Sequence, residues 1–268
     1  MPTPRSTFAR ITATVTLGLL APLAAQADAN AAEGPGPVVP YRPSLSTPAQ
    51  LPAPGYLEVE AGGLQARAAG GPERRDSLPL TLKLAFSPDW GLMLGTEAWA
   101  RSTDASGAHL SGGGDLSLTL KRRFAVDDAS AFGLELSTTR PTAPAGLGNG
   151  AAQWGLNGIY SRDFAGDWHT DLNLSAQHQS AASGQPASWQ QGGAAALSRS
   201  LGADWGVVGE LSATHDAGAK PASQALLAGS WNASNDLVLD AGLARGLSDA
   251  APRWQLFAGF TLRAGRVF

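Results

Sequence analysis

Between residues 78 and 86 every even position is a large apolar residue: Leu78, Leu80, Leu82, Leu84 and Phe86, with Pro79, Thr81 and Lys83 among the residues between them. The same beat returns at Leu116, Leu118 and Leu120 among Ser117, Thr119 and Lys121, at Phe132, Leu134 and Leu136 around Glu135, and at Leu172 and Leu174 around Asn173. An extended strand sends successive side chains to opposite faces. Each stretch therefore makes one apolar and one polar face, and a period of two cannot make such faces on a helix.

Twelve segments carry this pattern: 56–67, 77–86, 90–101, 114–124, 130–140, 151–162, 167–178, 188–200, 205–215, 223–233, 237–246 and 254–264. Most are about 10–13 residues long, whereas strands of soluble sheets are commonly about 5–6. A tilted strand that crosses a bilayer needs about 9–11. The connections alternate as well. Long ones fall at 68–76, 102–113, 141–150, 179–187, 216–222 and 247–253, and short ones at 87–89, 125–129, 163–166, 201–204 and 234–236. Short turns at one rim and longer loops at the other are the habit of outer-membrane barrels. The expected fold is all-β: a transmembrane, antiparallel, up-and-down β-barrel of about twelve strands with both termini periplasmic. A soluble β-sandwich would also alternate, but with shorter strands and no alternation of loop length.

Composition agrees. The chain is 43% hydrophobic yet only 15% charged, and it has 33 glycines. Apolar residues are diluted singly among small polar ones, as two-faced strands require. A formal net charge of −3 without a basic stretch gives nucleic acid no footprint. The absence of cysteine excludes disulfides, thiolate zinc sites and cysteine nucleophiles. The histidines, His109, His169, His178 and His215, lack metal-binding spacing, so no metal and no cofactor is expected. Residues 1–27 read as a cleaved signal peptide: Arg5 and Arg10, an apolar run from Ile11 to Ala25, then Ala25-Gln26-Ala27. Residues 28–55 hold seven prolines and read as an extended periplasmic tail or linker, with a plug as the alternative. Residues 56–268 are the barrel.

Tryptophan is plentiful at eight and tyrosine scarce at three. Trp90, Trp168 and Trp205 each follow an aspartate at a short turn and would form a periplasmic interface belt. Trp154, Trp189 and Trp254 would form the external one. With the apolar face in lipid, the lumen or its rims receive Glu58, Glu60, Lys83, Glu97, Arg101, Asp115, Lys121, Arg123, Glu135, Asp171, Glu210, Asp240 and Arg263. Such charges set ion preference or pair with one another, and Asp115, Lys121, Arg123 and Glu135 suggest a ladder on adjacent strands. Arg122 falls on the lipid face, where it can snorkel.

The stretch Arg42-Pro43-Ser44, then Thr47 through Glu60 (TPAQLPAPGYLEVE), resembles the opening of the outer-membrane transporter family named after the meta-pathway of phenol degradation. The strand Gly114 to Lys121 and the Phe-rich last strand at Phe257 to Phe260 are similar to that family too. The resemblance implies an outer-membrane channel for aromatic or hydrophobic compounds, and it carries no catalytic motif. The expected partners are outer-membrane lipid and lipopolysaccharide, a small solute, and the barrel-assembly machinery through the terminal Phe268. A structural or adhesive barrel without transport is the alternative, and a barrel lipase with a lipid-facing Ser–His pair is a further one.

Overall fold

The structure is a computed structural model that describes residues 35–69, 71–182 and 186–268. The expected signal peptide, 1–27, and residues 28–34 lie outside the described residues.

Thirteen strand segments follow one another: β1 (Tyr56–Arg67), β2 (Arg74–Ala85), β3 (Trp90–Thr103), β4 (His109–Gly112), β5 (Leu116–Ala125), β6 (Ser130–Arg140), β7 (Gln153–Phe164), β8 (Trp168–Gln179), β9 (Ser188–Leu201), β10 (Trp205–Asp216), β11 (Ala222–Ser234), β12 (Leu237–Gly246) and β13 (Trp254–Arg266). No helix occurs among the described residues. Neighbours pair antiparallel, and β1 pairs with β13 from Tyr56↔Arg266 to Arg67↔Trp254, which closes the sheet. β4 and β5 share one stave, because β4 pairs with Ala100–Thr103 of β3 and β5 with Trp90–Gly95. The result is a closed, twelve-stranded, antiparallel barrel. Closure leaves no strand edge exposed, as a bilayer demands.

Burial is inverted relative to a soluble protein. Leu174 is 76% exposed and Leu227 63%, while Lys83 and Lys121 are 0% exposed. The leucine face of each strand points outward and the polar face inward. The long rim carries loops 68–73, 104–108, 141–152, 180–187, 217–221 and 247–253; the short rim carries turns 86–89, 126–129, 165–167, 202–204 and 235–236.

The recurring aspartate at the short turns has a backbone role. The carbonyls of Asp89, Asp167, Asp204 and Asp236 accept from the amides of Arg123, Ser200, Asn232 and Arg263, at 2.8, 3.0, 2.7 and 2.8 Å. Each turn thus ties itself to the strand beyond its own hairpin. Asp167 has a φ of 62° and follows Gly166 at 79°, the left-handed pair that a tight hairpin turn needs.

The strand expected at 114–124 begins later and is interrupted. Gly113 to Asp115 bow away from β3, and only the Gly114 amide keeps a bond, 2.8 Å to the Glu97 carbonyl. A second irregularity lies opposite Pro79. Leu78 pairs with Trp99 but Pro79 with Glu97, so Ala98 is bulged out. Proline lacks the amide that a regular ladder uses, so a bulge is where it fits. Beyond the bulge the parity of β3 reverses.

Candidate functional site

The proline-rich stretch is not an outside tail over its described part: residues 35–54 lie within the barrel. They start at the short-turn rim, where the Val38 amide bonds the Asn235 carbonyl at 2.8 Å, and Arg263 donates to the carbonyls of Pro35 and Gly36. The segment rises to mid-height, crosses the bore, and returns to the same rim, where the Gly55 amide bonds the Ala85 carbonyl at 2.8 Å.

Its chemistry explains why it stays. Prolines keep it extended and without backbone-to-backbone bonds of its own, so most of its amides and carbonyls are free for the wall. The wall supplies carboxylates. Tyr41 N donates to Glu60 Oε1 at 2.7 Å, Ser46 N and Oγ to Glu210 Oε2 at 2.7 and 2.8 Å, and Thr47 Oγ1 to Glu135 Oε1 at 3.2 Å. Arg42 binds both oxygens of Asp240, each at 3.1 Å. The Ala49 amide reaches Ser161 Oγ at 2.7 Å, and Ser161 in turn donates to Asp171. Cations bind the carbonyls: Lys83 donates to Val39 and Lys121 to Pro48.

At the centre sits Tyr41. The ammonium of Lys83 stands 4.2 Å and that of Lys121 4.0 Å from its ring centroid, within cation–π range. Lys83 also pairs with Glu58 at 3.1 Å and Glu60 at 2.7 Å, and Lys121 with Glu135 at 3.1 Å. The Tyr41 hydroxyl donates to the Gln50 carbonyl at 2.7 Å. Burial first, then the negative fields of Glu135, Glu60 and Glu58, push its pKa well above 10.0, so the phenol keeps its proton.

The segment parts two cavities. One of about 520 Å³ opens toward the long-loop rim over Thr47, Glu135, Asn157 and Asn173, beneath carboxamides such as Gln177 and Gln255. The other, about 350 Å³, lies toward the short-turn rim between Val38–Ser44 and a wall that includes His169 and Asp171. His169 bridges Asp163 and Asp171 at 2.6 and 3.1 Å.

Of the residues read as lumenal, Glu58, Glu60, Lys83, Lys121, Glu135, Asp171, Glu210, Asp240 and Arg263 are buried against or around the inner segment. Arg263 also pairs with Asp236 at 2.7 Å. Glu97 faces inward and binds Arg75, which donates at 3.1 Å to the Leu147 carbonyl. Asp115 is not a rung of a ladder; it accepts from the amides of Ala143 at 3.0 Å and Asn149 at 2.7 Å. Loop 141–152 is thereby folded inward with Leu147 buried. Arg123 shares the face of Lys121, and no ion pair joins it to a carboxylate among the described residues. Arg101 departs from its expected place. The Ala98 bulge sets it on the face of outward-pointing Trp99, opposite Asp76. The residues that the period-two pattern missed are Tyr41, Arg42, Ser46 and Thr47. One signal for them was an excess of inward carboxylates over inward cations.

The tryptophans lie at the rims: Trp90, Trp168 and Trp205 open β3, β8 and β10 at the short-turn rim, and Trp154, Trp189 and Trp254 sit at the long-loop rim. Arg122 lies 4.9 Å over Trp90 and 4.6 Å over Phe124. His178 stacks on Trp154 at 5.5 Å and meets Trp189 edge-on at 5.0 Å outside, whereas Ser175 lines the 520 Å³ cavity. The two stand on opposite faces, so they make no lipid-facing Ser–His pair.

No protein-family model and no curated protein matches the sequence. Solved structures do match in fold. The COG4313 outer membrane channel from Pseudomonas putida F1 aligns with a TM-score of 0.65 at 15% identity, over 80% of this chain and 97% of that one. The NanC porin aligns at 0.56 and 10% identity, over 77% and 99%. The KdgM porin in complex with disordered oligogalacturonate aligns at 0.52 and 9%, over 76% and 98%. A closed barrel, an outward leucine band, aromatic rims and these likenesses give the chain the fold of a bacterial outer-membrane β-barrel.

Proposed function

We propose that the chain is an outer-membrane channel for small solutes whose bore is set by its own residues 35–54. The long loops then face the cell exterior and both termini the periplasm, as in other barrels with unequal rims. The observation that carries the reading is the division of the lumen into two cavities by one hydrogen-bonded segment. The neighbouring folds named channels and porins support it.

The outer cavity favours a compact solute. Its lining sets Leu45 of the inner segment and Ala194 of the wall beside Ser175, Gln177 and Gln255. Such a lining suits a molecule with an apolar face and a few hydrogen-bonding groups, and a hydroxylated aromatic has that form. This agrees with the resemblance of residues 42–60 to the phenol meta-pathway family. The protein is not an enzyme on this reading.

Planar-bilayer recordings test it. Wild-type barrels are expected to conduct in small steps, and R42A/S46A, which loses the Asp240 and Glu210 anchors, in larger ones. If neither conducts and liposomes take up no phenolic solute, the barrel is a structural element of the membrane. The fully buried Lys83 and Lys121 are the observation favouring that second reading.

A further inference from the structure

Four arginines collect on the outer face at one corner of the long-loop rim. In the strand register Arg245 lies opposite Trp254, Trp254 opposite Arg67, and Arg67 opposite Arg74, a row across β12, β13, β1 and β2. One step toward mid-barrel on the same face, Gln65 lies opposite Asp76, and Asp76 opposite Arg101. The bulge at Ala98 is what brings Arg101 to this face.

These charges do not cancel. Asp76 is the one carboxylate in the two rows, and it is engaged by Arg74 at 2.8 and 2.6 Å and by Gln65 at 3.0 Å. Glu73 precedes Arg74, but its carboxylate lies against Gly71 in its own loop; Asp249 belongs to loop 247–253. Among the described residues no ion pair joins Arg67, Arg101 or Arg245 to a carboxylate. Arg101 Nε is buried without a hydrogen-bond partner. Arg67 and Arg74 stand directly opposite, and like charges in that position repel. One carboxylate against four guanidinium groups leaves the corner net positive.

Height on the barrel indicates which anion. Arg67 lies 5.8 Å over the Trp254 ring, and rim tryptophans mark the headgroup level. The opposite rim differs: Arg122, Arg162 and Arg199 stand apart, each stacked on its own aromatic, at 4.9, 5.5 and 5.2 Å from Trp90, Phe164 and Trp168. Those are single anchors, whereas the long-loop corner is a cluster. Guanidinium forks match phosphate oxygens in pairs.

We propose that Arg67, Arg74, Arg101 and Arg245 form a binding site for the phosphates of the outer-leaflet glycolipid, lipopolysaccharide. The site does not depend on transport; it requires only that the long loops face outward. The folded full chain in detergent is titrated with diphosphoryl lipid A, with lipid A stripped of phosphate, and with inorganic phosphate, and binding is read by native mass spectrometry. Diphosphoryl lipid A is expected to bind the wild type, and R67Q/R74Q/R101Q/R245Q to lose at least about tenfold in affinity. R122Q/R162Q/R199Q, at the other rim, keeps wild-type binding. Heat-modifiable gel migration verifies folding, and R67Q/R101Q serves if the fourfold variant fails to fold. Unchanged binding by the arginine-poor variant overturns the site, as does equal binding of phosphate-free lipid A. Inorganic phosphate binding as tightly as the lipid would show a plain anion site and overturn the lipid assignment.

Discussion

Lys83 is the residue on which most of the interior converges. It is closed off from solvent and holds Glu58, Glu60, the Val39 carbonyl and the Tyr41 ring at once. Lys83→Met leaves two buried carboxylates without their cation, a loss of about 3–5 kcal/mol by analogy with other broken buried pairs. A lower urea midpoint for the refolded barrel checks this. Gly62 and Gly259 matter by what they lack. They stand opposite each other in the β1–β13 ladder, and a Cβ on either would come 2.7 Å from Arg42 Nη2 and closer still to a carbonyl of the facing strand, that of Ala258 for Gly62 and of Ala61 for Gly259. Gly259→Leu is therefore expected to strain the β1–β13 closure as well as push Arg42 off Asp240, and to lower the fraction that shows heat-modifiable migration after refolding, while Gly63→Ala, whose Cβ meets open space, leaves it unchanged. Most inward charges were legible because parity alone assigns a face. Arg101 was not, because one bulged residue, Ala98, is invisible to a pattern count.

The inner segment has no period to read. Its prolines mark it as extended, but extension is common to tails and plugs. Its anchors lie far along the chain, as with Arg263 and Pro35, 228 residues apart. What could be read was a stretch with Val38, Val39, Tyr41 and Leu45 among its prolines, more apolar than a solvated tail needs to be. At this scale the prediction is direct. Removing residues 35–50 while keeping β1 is expected to leave a heat-modifiable barrel with severalfold larger conductance steps. Steps of unchanged size would mean that the segment does not limit the bore. Loop 141–152 offers a contrast, since Asp115→Asn weakens its two amide anchors and is expected to make that loop more open to limited proteolysis, with the wall intact.

For the whole molecule, closure decides stability. The Val267 amide bonds the Gly55 carbonyl at 2.7 Å, so the last residues pin the start of β1 as well as completing the wall. Truncating Val267 and Phe268 is expected to reduce the fraction that shows heat-modifiable migration after refolding. The scarcity of tyrosine also finds its place. The rims pair tryptophan or phenylalanine with arginine, as at Arg199 over Trp168 and Arg162 over Phe164, and Tyr41 serves the interior instead of a belt.

The inner segment enters and leaves by one rim, and that rim also holds the Tyr56 and Arg266 ends of the closing strands. Topologically it is a tongue and not a thread: nothing in its path is knotted through the wall. It can be drawn back the way it came without parting a single pair of strands. Filling and emptying the bore are therefore separable from building the cylinder, and the same chain can be a finished barrel before its interior is occupied.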